Sequence, residues 1–283
     1  MTAKPRVRLV ALDIDGTLLR SDKTVSPRTR EAVARARSGG VRVVLATGRR
    51  HPSARRVAEE LGVELPLIVH NGALVIEEGR ILRCRPLARE VAARAIEIGR
   101  AHGIEPILHC GGRGEGWLLV EASARPSGLV GYYLERARGE LRLVPSLVEA
   151  LAREEPIQVM FGGDRAQVEA LHAALGAVLM GAARLERTVY PETGFALVDV
   201  LDPRVGKAEA LAYLCERWGI AAAETLAIGD NWNDRVMLES AGRGLLMGNA
   251  PAELIALGLP LLPTNDEDGV AHALEQHVLV ETP

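Results

Sequence analysis

The chain alternates between short apolar runs and longer segments whose apolar residues recur at helical spacing. Three early apolar runs predict strands, at 7–12, 41–46 and 67–69. The first intervening helix has clear signals, because Ser26 suits the N-cap, Pro27 suits the first turn, and Gly39-Gly40 ends the pattern. A second helix is predicted around 53–61. Strand and helix repeated in this order predict a doubly wound α/β fold with a parallel sheet.

The pattern changes after a predicted hairpin, at 73–76 and 81–83, which turns at Glu78-Gly79. From about Arg85 to about Pro191, helices alternate with short strands that suit a different sheet. The predicted helices are 88–102, 128–138 and 165–175, and the predicted strands are 107–109, 117–120 and 157–162. The first sheet is expected to resume with a strand at 195–200. We therefore predict a core formed by 1–84 and 192–283 that is interrupted by an inserted α/β domain at 85–191.

Two carboxylates, Asp13 and Asp15, flank one apolar residue where the first predicted strand ends, and Gly16-Thr17 follows them. A buried carboxylate without partners costs free energy or shifts its pKa strongly. The pair therefore suggests a cation and a reaction. The plainer alternative is a strand that ends in an acidic turn.

Three later segments favour the chemical interpretation. Thr47, Gly48 and Arg49 follow the second strand and offer a hydroxyl, an unobstructed backbone N–H and a planar fork of donors, all of which suit phosphate. Lys207 opens an amphipathic helix and is one of only three lysines among 34 basic residues, which indicates a need for a compact ammonium. The alternative for Lys207 is a solvated residue in the first turn of its helix.

The third segment is another apolar run, at 226–229, which leads into Asp230, Asn233 and Asp234 and then into a helix. Open parallel sheets bind ligands at the carboxyl ends of their strands. The polar residues of all these segments are therefore expected to meet at one edge of the sheet.

These segments together resemble the four sequence blocks of the haloacid dehalogenase superfamily of aspartate-nucleophile phosphatases. The resemblance is greatest to the Cof-like sugar phosphatases with a type IIB cap. It is supported by Asn71-Gly72-Ala73, by Met247-Gly248-Asn249-Ala250 and by the acidic segment at 265–270. One departure is Gly206-Lys207-Ala208, where such phosphatases usually have Ser-Lys-Gly. The resemblance covers about the first 85 and the last 90 residues, and it does not identify the substrate.

The resemblance implies a role for each candidate residue. Asp13 would attack phosphorus and form an aspartyl phosphate, and Asp15 would carry the proton to and from the leaving oxygen and water. The metal ligands would be Asp13, the backbone carbonyl of Asp15, Asp230 and, directly or through water, Asp234.

The phosphoryl oxygens would be held by Thr47, Gly48 and Lys207. Asn233 would donate to the phosphate or orient Asp13, with a turn-forming asparagine as the alternative. Arg49 would contact the substrate or brace the inserted domain. Its neighbour Arg50 is expected to be a solvated surface charge.

Charge balance makes magnesium the expected cofactor. Four ionised aspartates carry four negative charges and a phosphate monoester adds about two, while like charges about 4 Å apart repel by roughly 4 kcal/mol per pair at an effective dielectric of about 20. Lys207 alone does not compensate this repulsion. Mg²⁺ would, and it prefers hard oxygen ligands such as carboxylate, carbonyl, water and phosphate.

The composition limits the classes of binding partner that we expect. A net charge of −3, a pI near 6.2 and nine aromatic residues give no general attraction to nucleic acid or anionic membrane. Three widely spaced cysteines suggest neither disulfides nor a zinc site, and no signal peptide or apolar run of membrane-spanning length is visible. We therefore expect a cytoplasmic protein whose partner is a small phosphorylated metabolite. The oligomeric state is not predicted.

Three functions are compatible with the sequence. The first is a Mg²⁺-dependent phosphatase that acts on a small phosphorylated metabolite such as a sugar phosphate. The second is a phosphotransferase, such as a phosphohexomutase, that uses the same nucleophile. The third is a non-catalytic protein that binds a phosphorylated ligand, although the intact set of Asp13, Asp15, Lys207, Asp230 and Asp234 argues against it.

Overall fold

A computed structural model describes residues 5–62, 64–126, 128–190 and 192–279. Its backbone contacts divide the chain into two units. The first contains Met1–Arg49, Ser53–Leu82 and Gly206–Pro283, and the second contains Arg50–Pro52 and Arg83–Val205. The chain thus leaves the first unit, builds most of the second and returns, so the second unit is an insertion.

The elements follow one another in an order that matches this division. The chain begins with β1 (Leu9–Leu12), α1 (Pro27–Ser38), β2 (Arg42–Ala46), α2 (His51–Glu60), β3 (Leu67–Val69), β4 (Leu74–Glu77) and β5 (Arg80–Cys84). It continues with α3 (Arg89–Ala101), β6 (Ile107–Cys110), β7 (Trp117–Glu121), α4 (Gly128–Arg136), β8 (Leu141–Val144), α5 (Leu147–Ala150), β9 (Pro156–Asp164), α6 (Arg165–Val178), β10 (Arg184–Tyr190) and β11 (Phe195–Leu201). It ends with α7 (Lys207–Trp218), β12 (Thr225–Gly229), α8 (Arg235–Ser240), β13 (Arg243–Leu246), α9 (Ala252–Ile255) and α10 (Gly269–His277).

The first unit is built on a seven-stranded sheet in the order β13-β12-β1-β2-β3-β4-β5. The five strands from β13 to β3 run parallel, and β4 turns back antiparallel to β3. Leu211 and Leu214 of α7 pack against Leu9, Ala11 and Val44 of the sheet. The predicted α/β class with a parallel core sheet and a second α/β domain is confirmed.

Local signals explain several boundaries. The Ser26 hydroxyl accepts the Thr29 backbone N–H at 3.0 Å, so α1 begins at Pro27 as predicted. The β4–β5 hairpin turns through Glu78 and Gly79, whose φ angles of 51° and 70° suit a tight hairpin turn. The predicted helix and hairpin signals are therefore confirmed.

The second unit contains a six-stranded sheet in the order β10-β11-β9-β6-β7-β8. Helices α3 and α6 cover one face of it, where Ile96 and Leu171 pack with Phe161 of β9. Two strands and one helix of this unit were not predicted, namely β8, β10 and α5. The sequences of the two strands explain why they were missed, because β8 exposes half of its residues and most residues of β10 are polar, so neither contains a long apolar run.

The strand at 195–200 was predicted to return to the core sheet, and this prediction is wrong. As β11 it pairs antiparallel with both β9 and β10. Its alternate residues Ala196, Val198 and Val200 are buried in the second unit, which fixes the strand there. The return to the first unit follows at Gly206, and Pro191, the predicted junction, lies outside the described residues.

Candidate active site

The carboxyl ends of β1 and β12 place a group of aspartates together. The strands are parallel neighbours in which Leu12 pairs with Ile228, and the Asp13 backbone N–H donates to the Ile228 carbonyl at 3.0 Å. Asp13 therefore emerges beside the loop that carries Asp230 and Asp234. Carboxylate oxygens of these three buried residues lie within 4.8 Å of one another.

Lys207 is the cation of this cluster. As the first residue of α7, it extends its Nζ atom to donate to Asp13 Oδ1 and to Asp234 Oδ1, each at 2.7 Å. Only 1% of its side chain is exposed. Burial favours the neutral amine, but the two carboxylates outweigh it and raise the pKa of Lys207 above its ordinary value. The lysine is therefore a permanently charged member of the site rather than a solvated helix residue.

One ammonium does not balance three buried carboxylates. Burial raises the pKa of Asp13 to about 7, although Lys207 opposes the shift and Asp234 adds to it. Burial also raises the pKa of Asp230 well above its usual range, with further contributions from Asp13 and Asp234. The site therefore has excess negative charge that a bound cation would relieve.

Asp234 shapes the loop as well as adding charge. Its Oδ2 accepts the backbone N–H groups of Asp230 at 3.1 Å and Asn231 at 3.0 Å, while its Oδ1 accepts from Lys207. The residue is fully buried. With both oxygens holding protein donors, its geometry favours an indirect contribution to a cation over direct ligation.

Two residues that follow Asp15 orient Asp230 and were not among the predicted site residues. The Thr17 hydroxyl donates to Asp230 Oδ1 at 3.0 Å. Gly16 has a φ of +78°, and a Cβ atom there would come 2.3 Å from Asp230 Oδ2. The signal for both was present in the Gly-Thr that follows the paired aspartates, because a carboxylate that approaches a turn closely requires a glycine in it.

The segment after β2 contacts Asp15 through Arg49. Nε and Nη2 of Arg49 donate to Asp15 Oδ2 and Oδ1 at 2.6 and 2.7 Å, and the Arg49 backbone N–H donates to the Thr47 hydroxyl at 3.1 Å. Burial alone would raise the pKa of Asp15, but the hydrogen bonds and charge of Arg49 hold it below its usual value. The sequence predicted a substrate or bracing role for Arg49 and did not predict this pairing.

Arg50 was predicted to be a solvated charge, and this prediction is wrong. Only 4% of its side chain is exposed. Within the second unit, its guanidinium donates to the Gly116 carbonyl at 2.6 Å and to the Tyr133 hydroxyl at 3.1 Å. The two adjacent arginines thus have different partners, because Arg49 belongs to the first unit and Arg50 to the second.

Asn233 lies beside Asn71, which sequence analysis did not include in the site. The Asn233 side-chain amide donates to Asn71 Oδ1 at 2.9 Å, and the Asn71 backbone N–H donates to the Thr47 carbonyl at 3.0 Å. Asn71 is buried and has a φ of 53°. These contacts link the segments that carry Thr47 and Asn233. The Asn-Gly dipeptide after the third strand was the available signal.

A second pair of asparagines supports the loop after Asp15. The side-chain amide of Asn249 donates to the Gly16 carbonyl at 2.8 Å, and that of Asn265 donates to the Leu19 carbonyl at 2.8 Å. The Asn265 backbone N–H donates to Asn249 Oδ1 at 2.9 Å, so the two residues act together. Two asparagines from the C-terminal part of the chain thus hold the backbone of the loop that follows Asp15.

A sequence model of the haloacid dehalogenase-like hydrolases matches residues 10–274. The chain belongs to this family. It is 30% identical to the HMP-PP phosphatase of Serratia proteamaculans over 276 residues, which cover 95% of this chain and 94% of that protein. It is 29% identical to the phosphatase YwpJ of Bacillus subtilis, with 96% of this chain and all of that protein covered. The chain is accordingly a phosphatase, a hydrolase of phosphate monoesters.

Solved structures of the family share its architecture. A haloacid dehalogenase-like hydrolase from Bacteroides thetaiotaomicron superposes with a TM-score of 0.77 at 28% identity, over 96% of this chain and 99% of that one. A subclass IIB sugar phosphatase gives a TM-score of 0.78 at 23% identity, over 95% and 98% of the two chains. The second comparison shows a common fold and carries no information about substrate.

The donor set of this phosphatase fits the magnesium expected in its family. Three buried carboxylates supply hard oxygen atoms, and Thr17 and Lys207 already fix the orientation of two of them. No cysteine or histidine belongs to the group found among the described residues. Among those same residues, no helix combines the length and apolar character needed to cross a membrane.

The raised pKa of Asp13 predicts how pH and magnesium affect stability. The Asp13 carboxyl binds its proton more tightly in the folded protein than in the unfolded chain. The folded protein therefore loses stability as the pH rises from 3.8, the ordinary pKa of the group, to about 7. Without divalent cations, Asp13→Asn should therefore become more stable relative to the parent over this range.

Mg²⁺ should raise the melting temperature of the parent more at pH 8 than at pH 5, because its ligands must be deprotonated. Melting curves of both proteins with EDTA or Mg²⁺ test this, and equal Mg²⁺ effects at both pH values would contradict it.

Proposed function

We propose that the protein is a Mg²⁺-dependent phosphatase that hydrolyses small phosphorylated metabolites, including sugar phosphates, through an aspartyl phosphate on Asp13. The observation that carries this proposal is the buried contact of Lys207 with Asp13 and Asp234, beside Asp230. It provides a fixed carboxylate nucleophile with a permanent cation next to it. The Mg²⁺ ion, when bound by Asp13, the Asp15 carbonyl and Asp230, supplies positive charge that offsets the carboxylates and the phosphoryl oxygens.

In the first half-reaction, a carboxylate oxygen of Asp13 forms a bond to phosphorus and the ester P–O bond breaks. Asp15 gives a proton to the departing oxygen, which otherwise leaves as an unstable alkoxide. In the second half-reaction, water attacks phosphorus and Asp15 takes its proton. Inorganic phosphate leaves, and the Asp13 carboxylate is restored.

The residues that we assign to phosphate binding either contact the aspartate cluster or lie in segments that follow the strands of the core sheet. Lys207 holds Asp13 at 2.7 Å and provides a charge for the phosphoryl oxygens. Thr47 and Gly48 follow β2, and Asn233 is held by Asn71 at 2.9 Å. Asp234 secures Lys207 and the loop backbone. Positive and hydrogen-bonding groups that are fixed before the reaction stabilise the charge that develops in the transition state.

The relatives support small phosphorylated metabolites as the proposed substrate class. Relatives of this chain include phosphatases named for HMP-PP, for pyridoxal phosphate and for 5-amino-6-(5-phospho-D-ribitylamino)uracil, all of which are small molecules. We assign the second unit as the type IIB cap that selects the leaving group. Sugar phosphates remain part of this proposal because the sequence blocks around Asp13, Thr47, Lys207 and Asp230 resemble those of the Cof-like sugar phosphatases.

A phosphate-release assay tests the proposal. An aryl phosphate and a panel of phosphorylated sugars, sugar acids, nucleotides and cofactors are incubated with the protein in Mg²⁺ or in EDTA. We expect phosphate release from the aryl compound and from a subset of the metabolites, all of it dependent on Mg²⁺. Activity that persists undiminished in EDTA contradicts the metal assignment, and transfer of phosphate between sugars without release indicates a phosphomutase.

A further inference from the structure

Arg49 holds Asp15 in a two-pronged contact. Its Nε and Nη2 atoms each donate to a different carboxylate oxygen of Asp15, at 2.6 and 2.7 Å, while Nη1 lies 3.4 Å from the Ser53 hydroxyl. This is the fork geometry in which guanidinium recognises a carboxylate most strongly. Both oxygens of Asp15 therefore face Arg49.

This contact conflicts with the proposed work of Asp15. A group that exchanges a proton with the leaving oxygen must bring one of its own oxygens within hydrogen-bond distance of it. A carboxylate edge that is covered by a guanidinium fork does not present that edge to a substrate. Proton exchange through the edge that Arg49 covers therefore requires Arg49 to release at least one of the two oxygens.

The pair is placed so that a ligand can reach it. The side chains of Arg49 and Asp15 are 23% and 34% exposed, whereas those of Lys207 and Asp13 are 1% and 6% exposed. The backbone of Arg49 is held at both ends, because its N–H donates to the Thr47 hydroxyl and its carbonyl accepts the His70 N–H at 3.0 Å. The guanidinium can therefore change partners while the phosphate-binding segment stays in place.

We propose that Arg49 is a specificity-determining residue that binds an anionic group on the leaving portion of the substrate and thereby releases Asp15. The inference rests on the proposed function of this site. The preferred substrates are phosphate monoesters whose leaving group carries a carboxylate or a further phosphate, such as phosphorylated sugar acids, rather than neutral sugar phosphates. The guanidinium charge stays paired in this exchange, because a fork contact to the anion of the ligand replaces the one to Asp15.

Matched substrate pairs test this inference. The phosphate monoesters of glycolate, 3-hydroxypropanoate and 4-hydroxybutanoate are each compared with the corresponding neutral primary amide, in Mg²⁺. The three lengths vary the reach of the carboxylate from the phosphoryl group. We expect the parent to prefer the acid by about tenfold or more in kcat/KM for at least one length, as a charge-assisted hydrogen bond allows.

Arg49→Met should remove that preference. The ratio of kcat/KM for acid over amide should fall to within about twofold, through loss of activity on the acid rather than on the amide. Arg49→Lys should retain part of the preference, because it keeps the charge and loses the fork. Arg55→Met, a change to an exposed arginine on α2 that pairs with Glu59, should leave the ratio as in the parent.

The outcomes separate the inference from the proposed function. Absence of phosphate release from every substrate and from an aryl phosphate would overturn the proposed function itself. Release without any preference for acids would overturn the role of Arg49 and leave the phosphatase assignment intact. An equal loss on acid and amide in Arg49→Met, with an unchanged melting temperature, would show that Arg49 acts without contacting the leaving group and would also overturn the inference.

Discussion

Asp13→Asn should lose phosphate release by at least about a thousandfold, because the amide keeps the size of the side chain and cannot form the bond to phosphorus. The loss should be in kcat, with the fold of the protein retained. The site explains why no neighbour substitutes for Asp13, since Asp234 is bound by Lys207 and by two backbone N–H groups, and Asp230 is bound by Thr17. Steady-state kinetics with an aryl phosphate in Mg²⁺ measures the effect.

A matched substitution controls for charge. Asp22 is an exposed aspartate in the loop that follows β1, where its Oδ1 accepts from the backbone N–H and the hydroxyl of Thr24. Asp22→Asn should retain activity close to that of the parent. If Asp13→Asn keeps activity within about tenfold of the parent, Asp13 is not the nucleophile.

Lys207→Met should have the second largest effect. The ammonium touches Asp13 and Asp234 at 2.7 Å, and loss of one partner from a buried ion pair typically costs about 3–5 kcal/mol. We expect turnover to fall by at least about a thousandfold, because the phosphoryl oxygens and the nucleophile lose the same cation. In EDTA, the melting temperature should fall more at pH 8 than at pH 5, because protonation of Asp13 relieves the unpaired charge at the lower pH.

Two further variants make this result specific. Lys207→Arg keeps the charge but brings a larger, planar group into a site that fits an ammonium, so we expect it to remain strongly impaired. Arg30→Met removes an exposed cation from α1 and should behave like the parent. Equal destabilisation of Lys207→Met at both pH values would contradict the charge balance that we assign to the site.

The core of the fold was predictable because its signals are local. Apolar runs of strand length end in polar residues at Asp13, Thr47 and Asp230, and parallel strands bring such ends to one edge. The same reasoning failed for β11, since its nearly continuous apolar run is compatible with either sheet and only its pairing with β9 and β10 decides between them. A sequence pattern predicts that a strand forms more readily than it predicts which strands pair with it.

Prediction of the active site from the sequence has a similar limit. The chemistry of Lys207 was visible in the composition, because a rare lysine stands in an arginine-rich chain. The contact between Arg49 and Asp15 joins residues 34 positions apart, and the burial of Arg50 depends on Gly116 and Tyr133. Such contacts arise only once the chain has folded, so residue type alone did not distinguish the two arginines.

The stereochemical course at phosphorus tests the central claim most directly. A thiophosphate monoester that is made chiral with oxygen isotopes is hydrolysed in water of a third isotope, and the configuration of the thiophosphate product is determined. Attack by Asp13 followed by attack of water inverts phosphorus twice, so the account predicts overall retention. Overall inversion would show that water attacks the substrate directly and would contradict an aspartyl-phosphate intermediate.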